Sequence, residues 1–105
     1  MKKFIALYSG GLTPQTVDKK EMEASMKRWM DWFGKLGGSI AESGNPFGDS
    51  KTISKAGVKD GADGNVSNGY SIFQAASLAE AAALLKTCPI IAEGGKLHLF
   101  ELLPM

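Results

Sequence analysis

Lys3 to Tyr8 (Lys-Phe-Ile-Ala-Leu-Tyr) has almost no polar member. Runs of this kind are buried on both faces, so the pattern predicts a central strand. After the Gly10-Gly11 turn and Pro14, Asp18 followed by Glu21 makes a capping box: a side-chain oxygen accepts an orphan N–H at the start of a helix. Met22, Met26, Trp29, Phe33 and Leu36 then recur at spacings of four and three, one stripe of a helix, while Lys20, Lys27, Asp31 and Lys35 face away. Gly37-Gly38 suits a left-handed C-cap.

Residues 39 to 55 hold two extended stretches around Gly44-Asn45-Pro46, with the alternation of an exposed strand from Lys51 to Ser54. From Ala56 to Gly69 glycines alternate with Asp60, Asp63, Asn65 and Asn68, the chemistry of a long hairpin connection. Gly69 to Ala75 reads as the third strand. Ser77 and Glu80 repeat the capping box and open an alanine-rich helix, which Pro89 is expected to close. Lys96 to Leu102 follows Gly94-Gly95 as the last strand, and Pro104 ends it.

The order is βαββαβ in a single domain spanning residues 1–105. Right-handed crossovers place both helices on one face of a four-stranded antiparallel sheet, a ferredoxin-like α+β fold. Yet Phe4 to Tyr8 is apolar toward both faces, and in the last strand Leu97, Leu99 and Leu103 alternate with Phe100 and Leu102. The uncovered face therefore predicts a homodimer, two sheets face to face in a dimeric α/β barrel.

Composition narrows the function classes. Twelve basic against eleven acidic residues give a formal charge of +1 without a basic cluster, so neither nucleic acid nor an anionic membrane surface is an expected partner. The opening Met1-Lys2-Lys3 and its short apolar run lead into a glycine turn, which is read as a strand rather than a signal peptide or a membrane span. Cys88 is the single cysteine, so no intramolecular disulfide can form; this fits a reducing compartment and a cytoplasmic location.

Three local patterns, in this order, resemble the YCII-related family of small dimeric α/β-barrel proteins. They are Gly44-Asn45-Pro46-Phe47-Gly48-Asp49, then Gly69-Tyr70-Ser71-Ile72-Phe73 leading to Ser77-Leu78-Ala79-Glu80-Ala81, and Thr87-Cys88-Pro89. The resemblance implies a homodimer with a small organic ligand. For a branch that eliminates chloride from chlorinated ring compounds, it further implies chemistry at Asn45-Pro46 and Asp49. That branch carries a histidine on the first helix where this chain has Met26. A second branch has an Asp-Gly-Pro-Phe signature in the hairpin, of which only Asp60-Gly61 is present here.

Candidate chemistry follows from residue type. His98 is the only histidine and could shuttle a proton near neutrality; a structural or interface imidazole is the plainer role. Asp49 could act as a general base at a pocket mouth, or simply hold its own turn. These two are the catalytic candidates. Tyr8, Met26, Trp29, Trp32 and Asn45 are the pocket candidates, with Trp29 expected in the core and Trp32 and Met30 on the borders of the stripe. Cys88 is read as packing. No second histidine or cysteine completes a zinc site, Asp60, Asp63 and Asn65 lack the ligand spacing of a calcium loop, and no cofactor motif occurs, so neither metal nor cofactor is expected. Two functions stay open: proton-transfer or elimination chemistry on a small organic molecule, and a non-catalytic binding or accessory module using the same pocket.

Overall fold

In the computed structural model, which describes residues 1–13 and 15–105, the main sheet is built from β1 (Lys2–Ser9), β2 (Ile40–Glu42), β5 (Ser67–Ala75) and β6 (Lys96–Leu102). Pro14, expected to break the chain before the first helix, lies outside the described residues. The strand order is β2-β5-β1-β6 with every neighbour antiparallel, an α+β architecture consistent with a ferredoxin-like fold.

Helix α1 (Lys19–Leu36) starts as the capping box requires. Asp18 accepts the Glu21 N–H at 2.8 Å, and Gly37 caps the other end at a φ of 52°. Helix α2 (Leu78–Leu85) repeats the device, with Ser77 accepting the Glu80 N–H. It ends at Leu85, before Pro89. Pro89 opens a further short helix, α3 (Pro89–Ala92), where its fixed φ and missing N–H cost nothing at the first helical position.

Period-two alternation divides the sheet. Phe4, Ala6 and Tyr8 of β1 pair in register with Phe73, Ser71 and Gly69 of β5, and all of them are buried under the helices. Trp32 of α1 meets Phe73 at 5.8 Å between ring centroids, while Ala81 of α2 packs with Phe4 and Ala75. Both helices therefore cover one face. Burying an aromatic as large as Phe4 or Phe73 stabilises the fold by about 1.5–3 kcal/mol each.

The other face carries Ile5 level with Ile72 and Phe100, and Leu7 level with Tyr70 and His98. Phe100 is 53% exposed there.

Two expectations for the middle of the chain change. The second strand of the main sheet is the three-residue edge strand β2, and residues 51–54 belong elsewhere. They form β3 (Lys51–Ser54), which pairs with β4 (Gly57–Asp60) inside the stretch expected to be connection, making a separate two-stranded sheet. This hairpin is an arm of almost entirely exposed residues, including the cross-strand pair Ile53 and Val58. Among the described residues no helix is long and apolar enough to cross a membrane.

Candidate functional site

Two glycine-containing loops and one helix face enclose a cleft at the end of the sheet where β1 runs out. Gly10 and Gly11 turn the chain at φ of 74° and 80°, a region open to glycine at no steric cost. The turn lies against Gly95, where a Cβ would collide with the Ser9 carbonyl and the Gly11 nitrogen. Opposite, the chain beyond β2 stays alongside β5: the Tyr70 N–H donates to the Asn45 carbonyl at 3.2 Å and the Phe47 N–H to the Asn68 carbonyl at 2.9 Å. Pro46, which has no N–H, bridges to Gly69 at this edge. Gly44, at a φ of 78°, passes so close that any Cβ would run into the Tyr70 carbonyl. The Gly-Asn-Pro stretch is thus an irregular continuation of the edge strand.

Helix α1 supplies the third wall through Met22, Met26, Trp29, Met30 and Phe33, and α3 with the turn after it supplies Ile90 and Glu93. The cleft encloses about 580 Å³, in the range of small-molecule sites. A second hollow of about 780 Å³ lies at the root of the arm. Its walls are Gly48, Asp49, Ser50, Lys51, Asp60 and Gly61, exposed apart from Gly61, with Lys51 paired to Asp60 at 2.6 Å. No apolar side chain lines it, so the cleft beside α1 is the better site.

Its buried hydroxyls and its carboxylate are already engaged. The Tyr8 hydroxyl donates to Ser71 Oγ at 2.8 Å, and Ser71 Oγ donates to the Ser43 carbonyl at 2.6 Å. Burial pushes the Tyr8 phenol well above its ordinary value, and the Ser71 hydrogen bond offsets only part of that. Tyr8 therefore stays protonated. Glu93 accepts from Ser25 Oγ at 2.6 Å and from Arg28 Nη2 at 2.8 Å on one oxygen, and from Trp29 Nε1 at 3.2 Å on the other. Burial would raise its carboxyl, but the hydrogen bonds from Ser25, Arg28 and Trp29, with the guanidinium charge, outweigh burial and hold it below the usual carboxylate range. The Trp29 ring in turn meets Tyr8 edge-on, at 5.1 Å and 89°.

Of the residues singled out in the sequence, Tyr8, Met26, Trp29 and Asn45 come together in this cleft, and Met30 joins them. Trp32 does not. The two tryptophans exchange the expected positions: Trp32 is buried, with its indole N–H on Thr87 Oγ1 at 2.9 Å, and Trp29 lines the cleft. Met26, expected in the core stripe, is 60% exposed at the cleft wall.

Asp49 sits exposed at the root of the arm. His98 projects from the uncovered sheet face, level with Leu7, on the side opposite the helices. The two are not brought together, and neither lines the cleft.

Cys88 is buried, and burial pushes its thiol up to about 11, as a packing role requires. Among the described residues no group of three or more His, Cys, Asp or Glu side chains could hold a metal ion.

Sequence reasoning missed Glu93, Ser25 and Ser71. Ser25 carried a signal, because it stands four residues before Trp29 and seven before Trp32 and so shares their helix face. Glu93 carried none, since its partners lie more than sixty residues away. Comparison with protein-family models and with the curated proteins finds no match to this chain.

Proposed function

We propose that this chain is a small-ligand-binding module, in which the cleft between α1 and the two loops takes up a small organic molecule without transforming it. The observation that carries this reading is the state of the cleft's ionisable groups. The Tyr8 phenol is raised and bonded to Ser71, the Tyr70 phenol is raised by the hydrogen bond it donates to Glu42, and the Glu93 carboxylate is spent on Ser25, Arg28 and Trp29. None of the three is poised to give or take a proton near neutrality, whereas a general acid or base works best with a pKa near the operating pH. The apolar wall of Met22, Met26, Trp29, Met30 and Phe33 suits binding by contact area.

The competing reading, proton transfer or elimination on a small organic molecule, draws on Asn45, which lines the cleft. It also needs an acid–base pair, and the two candidates for that pair stand apart from the cleft and from each other. Screening a fragment library by ligand-observed NMR separates the readings. Binding should persist in an Asp49→Asn, His98→Asn double variant and disappear in Met26→Trp, whose larger side chain fills the cleft. Turnover of any bound molecule that is lost in Asp49→Asn would overturn the binding reading in favour of catalysis.

The uncovered sheet face supports a two-fold pairing as well. Ile5, Ile72 and Phe100 form one row across it and Leu7, Tyr70 and His98 the next, an apolar patch bounded by Lys3, Gln74 and Glu42. A second copy would bury this face against itself, which makes the dimeric α/β barrel of the YCII-related kind the assembly that best fits these residues.

A further inference from the structure

The cleft has one charged residue in its lining, Glu93, and no lysine, arginine or histidine among the described residues that form it. Glu93 is itself neutralised by Arg28, whose guanidinium contacts it through both Nε and Nη2. The guanidinium side chain is half exposed and the carboxylate is only 6% exposed, so the pair presents to the cleft a carboxylate with no uncompensated charge.

An anionic ligand entering here would lose hydration and meet no cation free to pair with it. A cationic one would meet a carboxylate whose oxygens already accept four hydrogen bonds. Burying an unpaired charge is costly in either case. The remaining wall is aromatic and thioether surface, with Met22, Met26 and Met30 at successive fourth positions on one face of α1 beside Trp29. Methionine side chains are unbranched and polarizable, and they mould to flat ring systems of varying outline. Polar recognition falls to the Asn45 and Asn68 amides on one side, the Asn68 amide already donating one hydrogen bond to the Gly10 carbonyl; the buried Tyr8 and Ser71 hydroxyls beneath are spent on Ser71 and the Ser43 carbonyl.

We infer that the ligand of this cleft is an uncharged, flat aromatic molecule carrying a neutral hydrogen-bonding group, and that the Glu93–Arg28 pair sets this preference by cancelling the one charge at the wall. This rests on the cleft being a binding site. Ionised carboxylate, phosphate and ammonium compounds are disfavoured.

Isothermal titration at neutral pH with three probes of one shape tests it: naphthalene-2-carboxamide, 2-naphthoate and 2-naphthylmethylammonium. The carboxamide should bind at least tenfold more tightly than either ion. In Arg28→Gln, where Glu93 loses its counter-charge at a half-exposed position, the ammonium probe should gain at least tenfold relative to the carboxamide. A preference for the carboxamide below tenfold overturns the inference about charge and leaves the binding site standing. Lack of binding by all three overturns both. An unchanged ranking in an Arg28→Gln protein with a native circular dichroism spectrum removes the role given to the ion pair.

Discussion

Trp29 donates its indole N–H to Glu93 Oε1 across 3.2 Å, tying the middle of the first helix to the turn that precedes the last strand. Ser25 and Arg28 hold the other oxygen, so one carboxylate fastens three residues of α1. Together with Trp32, which packs on Phe73 and donates to Thr87, the contact fixes how the helix is rotated. In this rotation Ser25 and Trp32 are buried, while Met26, Trp29 and Met30 line the cleft.

A carboxyl held below its unfolded value binds fewer protons when folded. The stability it provides is complete above the unfolded value and drains away as pH falls through the folded one. The urea midpoint should therefore drop between pH 7 and pH 3 more steeply in the native protein than in Glu93→Gln. Glu93→Ala, which leaves the Trp29 and Ser25 donors unmatched in a largely buried place, should cost about 2–3 kcal/mol at pH 7. Equal pH slopes for the native protein and Glu93→Gln would mean that the carboxylate is not the fastening.

Gly44 and Gly48 form a matched pair for testing the loop wall. Alanine at Gly44 meets both a positive φ and the Tyr70 carbonyl, and should lower stability by more than about 3 kcal/mol, detaching the loop from β5. Alanine at Gly48, with open space around it and no positive φ, should change stability by less than about 0.5 kcal/mol. Thermal or chemical unfolding of the two variants measures the difference.

Much of the fold was legible in the sequence where its determinants are local. The Asp18–Glu21 and Ser77–Glu80 boxes mark both long helices because a cap needs only residues three apart. Strands β1, β5 and β6 declare themselves by apolar runs or strict alternation. The middle of the chain was legible only in part. Lys51 to Ser54 shows as an exposed strand by its alternation, but β2 is three residues long and continues through an irregular Gly-Asn-Pro stretch, and β4, the partner of β3, lies among the glycines and aspartates that read as a connection.

Within α1 the stripe was located about one residue step out of place. Ser25 lies in the inward row, and its polarity hid that row until Glu93, distant in sequence, supplied the partner that explains it. Four of the five pocket candidates nevertheless fall in the cleft, because Tyr8 ends a central strand, Asn45 follows its edge neighbour, and Met26 and Trp29 share a helix face.

The apolar face of the sheet should be closed by a second copy. Light scattering coupled to size exclusion should give twice the chain mass at micromolar concentration. Phe100→Asp, placing a charge in the middle row beside Ile5, should halve that mass or unfold the protein, since a buried unpaired charge costs on the order of 3–5 kcal/mol. A native protein that runs as a monomer would remove the barrel.

The central claim is that the cleft beside α1 receives a small molecule, and the five methionines of the chain allow it to be observed directly. Met22, Met26 and Met30 line the cleft, whereas Met1 and Met105 are exposed at the chain ends and outside it. Methyl spectra of protein labelled at methionine with carbon-13, recorded during titration with naphthalene-2-carboxamide or a fragment hit, should show saturable shifts at Met22, Met26 and Met30, with Met1 and Met105 stationary. Saturable binding that leaves the three helix methyls unmoved would place the ligand elsewhere and contradict the account.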